Sequence, residues 1–119
     1  MNDCVFIYKF GNMFYVEGND AIVIHFILNY KINNNKVYFN NLNKVIKTLN
    51  DKKINYKCNN KFVKFKNNNY NFYYSNGENK IKLYYLTKDL KIKINSLSVE
   101  DKIKLFNKIE KFANERWWI

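Results

Sequence analysis

The pattern of hydrophobic and polar residues along the chain changes near Ile54. Before that point, Val5–Phe10 is a β-branched and aromatic run ended by a glycine, which predicts a first strand buried on both faces. Ala21–Asn29 is apolar all round, so its pattern alone fits a helix or a strand. Asn19 or Asp20 supplies a side-chain oxygen that would cap a helix beginning there.

A helical repeat of about 3.6 residues is clearest after a short predicted strand at Val37–Phe39. Asn40 or Asn41 is placed to cap this second helix. Its apolar positions are Leu42, Val45, Ile46, Leu49 and the later Ile54. Together these segments predict a strand–helix–strand–helix–strand unit from Phe6 to Tyr56.

Beyond Ile54, apolar and polar residues alternate with a period of two, which is typical of strands that expose one face. The alternating segments are Lys61–Lys66, Tyr70–Tyr74, Lys80–Leu86 and Leu90–Ile94. Asn76-Gly77 predicts a turn between two of them. We therefore expect these segments to form an antiparallel meander.

A last helix is predicted from a capping box at Ser98 and Asp101. Its apolar stripe contains Val99, Ile103, Phe106, Ile109, Phe112 and Ala113. The Trp117-Trp118-Ile119 terminus is expected to fold back on the core, with a partner-binding hook as the alternative. The predicted fold class is α/β (α+β): a mixed β-sheet with two helices in the N-terminal half, an antiparallel meander and a C-terminal helix.

The length of 119 residues and the hydrophobic content of 47% predict one domain, residues 1–119. Within it, residues 1–58 form the strand–helix–strand–helix–strand segment, and residues 59–119 hold the antiparallel strands and the last helix. Disorder is expected only around Asn33–Asn35 and Asn67–Asn69. The longest apolar run, Ala21–Leu28, is much shorter than the roughly 20 residues of a bilayer span, so no membrane association is expected.

The net charge of +11 favours a phosphate-rich partner. Residues 60–99 hold eight Lys against Glu78 and Asp89, which is 8 − 2 = +6 of that charge. If the predicted strands are neighbours, their Lys rows merge into one basic sheet face with Tyr between them. The expected nucleic-acid contacts on this face are Lys64, Lys66, Lys80, Lys82, Tyr84, Lys91 and Lys93. The alternative is a solvated face whose lysines block edge pairing.

The first half resembles the N-terminal mismatch-recognition domain (domain I) of the MutS family of DNA repair proteins. The resemblance is carried by Gly11-Asn12-Met13-Phe14-Tyr15 and by Asn19-Asp20-Ala21, which match the family's Gly-Asp-Phe-Tyr-Glu and Asp-Asp-Ala motifs in order. It covers a little under half of the chain and implies a mixed sheet flanked by helices, with Ala21–Asn29 as a helix.

The same resemblance implies that the segment Met13, Phe14 and Tyr15 is a loop that stacks on bases. The family's wedge Phe falls on Met13 and its base-contacting Glu falls on Tyr15, so mismatch readout itself departs from the family pattern. Apolar wedges and aromatic neighbours still insert between bases or stack on them. The alternative is that these residues simply continue the core.

The residues that carry catalysis in other proteins are better explained structurally here. His25 is predicted to be a packed core histidine, and Asp20 a helix cap rather than a metal-binding partner of Glu17. Cys4 and Cys58 are too far apart for a zinc pattern and are predicted to be buried thiols in a reducing, cytoplasmic compartment. We expect no enzyme activity, no metal or other cofactor, and no small-molecule substrate.

The sequence therefore predicts a non-enzymatic nucleic-acid-binding domain, with DNA favoured over RNA as the partner. The alternative is a small phage or mobile-element protein that inhibits a host nucleic-acid-processing complex, for example an anti-CRISPR-type inhibitor. In that case aromatic anchors such as Tyr85, Trp117 and Trp118 would bind the host complex.

Overall fold

The computed structural model describes residues 3–116, which form five strands and four helices. The strands are β1 (Val5–Phe10), β2 (Met13–Glu17), β3 (Lys36–Phe39), β4 (Tyr56–Cys58) and β5 (Lys61–Val63). The helices are α1 (Asn19–Leu28), α2 (Leu42–Lys52), α3 (Tyr70–Asn95) and α4 (Val99–Arg116). The predicted mixed α/β class is confirmed.

The chain divides into two compact units, Met1–Lys82 and Leu83–Ile119, and the division falls inside α3. The first unit contains the whole sheet, α1, α2 and the start of α3. The second unit contains the end of α3 and all of α4.

The sheet of the first unit is mixed and has the strand order β3-β2-β1-β4-β5. Its central strand β1 pairs antiparallel with β2, where Tyr8 faces Tyr15, and parallel with β4, where Ile7 faces Cys58. A parallel pair needs a long crossover, which α1, β3 and α2 supply. The predicted strand–helix–strand–helix–strand order is therefore present, with β2 as an additional strand next to β1.

One face of this sheet carries the hydrophobic core. Val5, Val16 and Val37 come from three neighbouring strands and are completely buried. Ile24 of α1 and Leu49 of α2 are buried in the same core. Burying each such side chain contributes about 1.5–3 kcal/mol, so this layer is the main source of stability in the first unit.

Helix α1 confirms the helical alternative for the apolar segment after Asp20, but the predicted cap is wrong. The residue before the helix is Gly18, in a positive-φ conformation (φ 62°), and no side chain caps the helix start. The Asp20 carboxylate instead accepts hydrogen bonds from the Phe6 backbone N–H (3.0 Å) and the Tyr70 hydroxyl (2.5 Å). Asp20 therefore links α1 to β1 and α3.

Helix α2 begins as predicted, because the Asn41 side chain accepts a hydrogen bond from the Lys44 backbone N–H at 3.1 Å. The helix ends before Ile54, which is nevertheless completely buried.

Asparagine pairs make the tight turns of the sheet. Asn34 and Asn35 have positive φ angles (50° and 67°) between Asn33 and Lys36, whose backbones exchange hydrogen bonds of 2.8 and 2.9 Å. Asn59 and Asn60 (φ 49° and 66°) do the same between β4 and β5. Such two-residue loops match the right-handed strand twist.

The predicted disorder at both Asn-rich segments is therefore wrong. Asn33–Asn35 forms the first of these turns. In Asn67–Asn69, the side chain of Asn68 accepts a hydrogen bond from the Asn55 backbone N–H at 2.9 Å. The Asn69 side chain donates to the Lys52 carbonyl at 2.9 Å.

The predicted antiparallel meander is wrong after Val63. Tyr70–Tyr74, Lys80–Leu86 and Leu90–Ile94 are parts of the single helix α3, and Asn76-Gly77 lies within it rather than in a turn. Of the alternating segments, only Lys61–Val63 is a strand. Apolar residues at i, i+3, i+4 and i+7, namely Tyr70, Tyr73, Tyr74 and Gly77, form the side of α3 that packs in the first unit, and Gly77 lies against Ile22 and Phe26 of α1.

The last predicted helix is confirmed as α4. The Asp101 backbone N–H donates to the Ser98 hydroxyl at 3.1 Å, as expected for a cap. No helix in residues 3–116 is long and apolar enough to cross a membrane. The expected docking of Trp117, Trp118 and Ile119 lies outside the described residues.

Candidate nucleic-acid interface

Three tyrosines lie side by side on the face of the sheet opposite the core. Tyr8 faces Tyr15 across β1 and β2, and Tyr15 faces Tyr38 across β2 and β3. Directly opposed residues share a face of a sheet, so the three rings form a row. The ring centroids are 5.2 Å apart for Tyr8 and Tyr15, which are stacked, and 5.6 Å apart for Tyr15 and Tyr38. We call this set the tyrosine row.

The tip of the β1–β2 hairpin extends this face with two apolar side chains. Phe10 faces Met13 in the register, two residues along each strand from Tyr8 and Tyr15. The Phe10 side chain is 69% exposed and Met13 is 40% exposed. Gly11 has a positive φ of 60°, which the tight turn between them requires. Large apolar side chains are therefore presented to solvent at an exposed hairpin tip.

Lysines and aromatic rings alternate at the other end of the same face. Lys57 of β4 faces Phe6 on one side and Phe62 on the other. The Lys64 ammonium lies 4.8 Å from the centroid of the Phe62 ring. On the edge strand β3, the Lys36 ammonium lies 5.0 Å from the centroid of the Tyr15 ring. These cation–π contacts place positive charge next to the aromatic rings of this face.

Phe14, which was predicted to belong to the base-stacking loop, lies on the core side of the sheet. Phe14 lies on the face opposite Met13 and Tyr15, because side chains alternate along a strand. Its ring is stacked on Phe39 at 6.1 Å and packs against the hydrophobic core. The expected loop Met13–Tyr15 is part of strand β2, and only Met13 and Tyr15 point toward the exposed face.

A polar cleft of about 370 Å³ opens beside Tyr8 within the first unit. Asp3, Glu17, Asp20, Tyr70 and Tyr74 are among the residues that line it. Burial raises the pKa of Asp20 above its usual range, although the hydrogen bonds from the Phe6 N–H and the Tyr70 hydroxyl act in the opposite direction. The pKa of Tyr70 is also raised by burial and by its hydrogen bond to Asp20, so its hydroxyl remains a donor.

This cleft differs from a catalytic carboxylate pair in its hydrogen bonding. Asp20 is fully engaged in linking β1 and α3, and Glu17 faces Lys36 in the sheet register. Among residues 3–116, no group of three or more His, Cys, Asp or Glu side chains is arranged to hold a metal ion. The carboxylates make the surface beside Phe6 and Tyr8 acidic, which disfavours a phosphate in this cleft.

The basic sheet face predicted from the later lysines does not form. Lys80, Lys82, Lys91, Lys93 and Tyr84 lie on helix α3. At about 100° per residue, Lys80 and Lys91 share one side of this helix, whereas Lys82 and Lys93 lie on the other. Lys82 is also 3.8 Å from Glu78, and Lys80 donates a hydrogen bond to the Asn29 side chain at 3.4 Å. Lys64 and Lys66 are exposed but follow β5 outside the strand.

Tyr8 and Tyr38 were not among the residues predicted from the sequence. A signal was present, because Phe6, Tyr8 and Phe10 place an aromatic residue at every second position of β1. The strand was expected to be buried on both faces, yet Tyr8 is 43% exposed. The pairing of Tyr15 with Tyr38 depended on β2, which was not predicted as a strand.

The histidine and the two cysteines lie in partly or fully buried positions within the fold. The His25 ring nitrogen Nδ1 lies 2.7 Å from the Tyr30 carbonyl oxygen, within a partly buried site on α1. Cys4 and Cys58 are free and buried as predicted. Burial raises the pKa of Cys4 to about 11 and also raises the pKa of Cys58, so both thiols stay protonated near neutral pH.

No family model, curated protein or solved structure matches this chain. The resemblance to MutS domain I therefore stays a prediction that rests on the two motifs given above.

Proposed function

We propose that this protein binds single-stranded nucleic acid by stacking bases on the exposed face of its sheet. The observation that carries the proposal is the tyrosine row, in which Tyr8 and Tyr38 remain 43% and 42% exposed at either end. Every base has a flat π-face, and open sheets use aromatic rows of this kind to hold unpaired bases.

Cross-strand aromatic pairs also stabilise sheets, so packing alone is an alternative explanation of the row. Two features favour a binding role. Phe10 and Met13 prolong the row although they are exposed at a hairpin tip, where they add little to the core. Lysines border the rings: Lys36 lies over Tyr15, and Lys64 lies over Phe62.

The lysines supply the contact with phosphate that stacking lacks. Each Lys that neutralises a phosphate releases a counterion, which makes binding tighter at low salt. A duplex keeps its base faces stacked internally and cannot use the tyrosine row, so single strands are expected to bind more tightly. Two positions carried over from the MutS resemblance, Met13 and Tyr15, lie on this face and support the choice of nucleic acid as partner.

The test is fluorescence anisotropy with labelled single-stranded DNA, single-stranded RNA and duplex of the same sequence. Replacing Tyr38 by Ala should weaken single-strand binding, because stacking contributes about 1–3 kcal/mol per base, or roughly 5- to 150-fold in Kd. Tyr38→Phe keeps the ring and should bind nearly as well. Tyr85→Ala is the matched control, because Tyr85 is 58% exposed on α3 and lies outside the sheet.

The contribution of the lysine–phosphate contacts to binding is tested by the salt dependence of the same titration. Lys36→Gln and Lys57→Gln should each lower the slope of log K against log salt by about 0.7, the value for one phosphate of a single strand. The proposal would be wrong if no single strand bound at low salt, or if Tyr38→Ala and Tyr85→Ala lowered the affinity equally.

The alternative of a host-complex inhibitor predicts a different result. Binding would then depend on a protein partner and would persist in a lysate treated with nuclease. Tyr85 is an exposed candidate anchor for such contacts, while Trp117 and Trp118 lie outside the described residues. Loss of capture on Tyr85→Ala, with Tyr38→Ala unaffected, would favour the inhibitor over the nucleic-acid binder.

A further inference from the structure

Helix α4 carries an apolar stripe whose large side chains are exposed from its first turn to its last. None of its residues is buried. The large apolar side chains are 48–75% exposed, namely Val99, Ile103, Phe106, Ile109 and Phe112. A helix of 18 residues is only marginally stable without packing of its apolar face. This surface therefore has the character of an interface.

Two charged residues interrupt the stripe, and they are placed symmetrically. Lys102 comes four residues before Phe106 (106 − 102 = 4), and Glu110 comes four residues after it (110 − 106 = 4). Residues four apart lie on the same side of a helix, so both charges belong to the face that carries Phe106. Their signs are opposite.

This symmetry makes the stripe complementary to itself when two copies run antiparallel with Phe106 at the centre. Residues equally far from Phe106 on its two sides then lie at the same level. Ile103 meets Ile109 of the second copy, Val99 meets Ala113, and Phe106 meets its own equivalent. Lys102 lies at the level of Glu110 of the second copy, and the pair occurs twice. Parallel pairing would instead set Lys102 beside Lys102 and Glu110 beside Glu110.

We propose that α4 is a homodimerisation helix whose occupant is α4 of a second copy in antiparallel orientation. Two-fold symmetry of this kind is the commonest form of soluble assembly. Four large side chains lie on the paired face, namely Val99, Ile103, Phe106 and Ile109, and at about half exposure they offer on the order of 300 Å² per copy. Two copies would bury roughly 600 Å², which is below the range of standard interfaces, so the dimer is expected to be weak and reversible.

Exchanging the charges of Lys102 and Glu110 distinguishes the proposed dimer from nonspecific hydrophobic association. The wild-type protein should pass from monomer to dimer with rising concentration in sedimentation velocity. Lys102→Glu places two carboxylates at each symmetric position, and Glu110→Lys places two ammonium groups there. Each single variant should raise the dimer Kd by about tenfold or more, because attraction becomes repulsion at two sites.

The double variant Lys102→Glu/Glu110→Lys restores opposite charges and should dimerise like the wild type. Mixing the two single variants should also produce a heterodimer. The control is Lys108→Glu, which changes the net charge by the same amount as Lys102→Glu but lies on the opposite side of α4. It should leave the dimer Kd within about twofold of the wild-type value. Circular dichroism of each variant verifies that the helices are retained.

A protein that stays monomeric up to millimolar concentration would overturn the proposal, since a second copy would then not be the occupant of the stripe. Equal weakening by Lys102→Glu and Lys108→Glu would also overturn it, because net charge alone would explain the result. A double variant that remained as weak as the single variants would exclude the antiparallel pairing.

Discussion

Replacing Gly77 by Ala tests the contact between helices α1 and α3, which the sequence did not predict. An added Cβ would lie 2.8 Å from Cγ2 of Ile22, 2.9 Å from the Ile22 carbonyl oxygen and 3.2 Å from Cβ of Phe26. Carbon atoms normally pack about 3.5–4.0 Å apart. The Ile22 side chain can rotate, but its carbonyl oxygen is part of α1, so the two helices must separate.

The expected magnitude combines two opposing effects. Overpacking of a well-packed contact costs about 1–3 kcal/mol. Replacing Gly by Ala in a helix gains about 1 kcal/mol. The net destabilisation is about 1 kcal/mol, which lowers Tm by roughly 4–8 °C for a unit of this size. The assay is thermal or urea unfolding followed by circular dichroism.

Asn79→Ala is the matched control for this experiment. Asn79 is an exposed residue of the same helix, so the substitution brings only the gain in helix propensity of about 0.5 kcal/mol. The two alanine variants should therefore move stability in opposite directions. Equal stabilisation by Gly77→Ala and Asn79→Ala would refute the close approach of α3 to α1 at this residue.

Three further outcomes are expected in the first unit. Because burial raises the pKa of Asp20 above its usual value of 3.8, the folded state holds this proton more tightly than the unfolded chain. The stabilisation from the protonated carboxyl group is present at low pH and is lost as the pH rises through the raised pKa. Over that range, the free energy of unfolding of Asp20→Asn should therefore increase relative to wild type. Parallel pH profiles of the two proteins in urea unfolding would contradict this. Asn41→Ala removes the cap of α2 and should cost about 1 kcal/mol in unfolding free energy, with Asn41→Asp restoring it; no loss in the alanine variant would show that the cap is not used. Cys4 and Cys58 are 5% and 7% exposed, so thiol reagents should modify them at neutral pH only as fast as the protein opens, and rapid labelling without denaturant would disprove their burial.

Within the N-terminal half, α2 was predictable because it has one consistent apolar face, whereas the pattern of α1 fitted helix or strand and β2 was not predicted. In α2, Leu42, Val45 and Leu49 keep the helical repeat, and all three pack in the core or against it. The cap at Asn41 and the turn at Gly11 follow from side-chain and backbone chemistry that is local in sequence.

Helix α3 was not predictable in this way because its apolar stripe changes position along the helix. Tyr70, Tyr73, Tyr74 and Gly77 form the stripe of the first half. Leu83, Leu86, Leu90 and Ile94 form a second stripe that does not continue the first along the helical repeat. Around the change, the run Lys80-Ile-Lys-Leu alternates with a period of two and imitates a strand.

The candidate interface was predicted only in part. Met13 and Tyr15 were identified from their motif, and they do lie on the exposed face of the sheet. The tyrosine row itself depends on the register between three strands that are distant in sequence, because Tyr38 reaches Tyr15 only through the pairing of β2 with β3. Pairing register across a long loop is a tertiary property, which the local pattern of one strand does not contain.

The asparagine turns restrict which residues this chain accepts at four backbone positions. With three glycines in 119 residues, the left-handed backbone positions at the ends of β3, β4 and β5 are filled by asparagine, which tolerates that conformation better than most residues. Replacing Asn34 or Asn35 by a β-branched residue would therefore strain the turn that leads into β3, because such residues rarely adopt a positive φ.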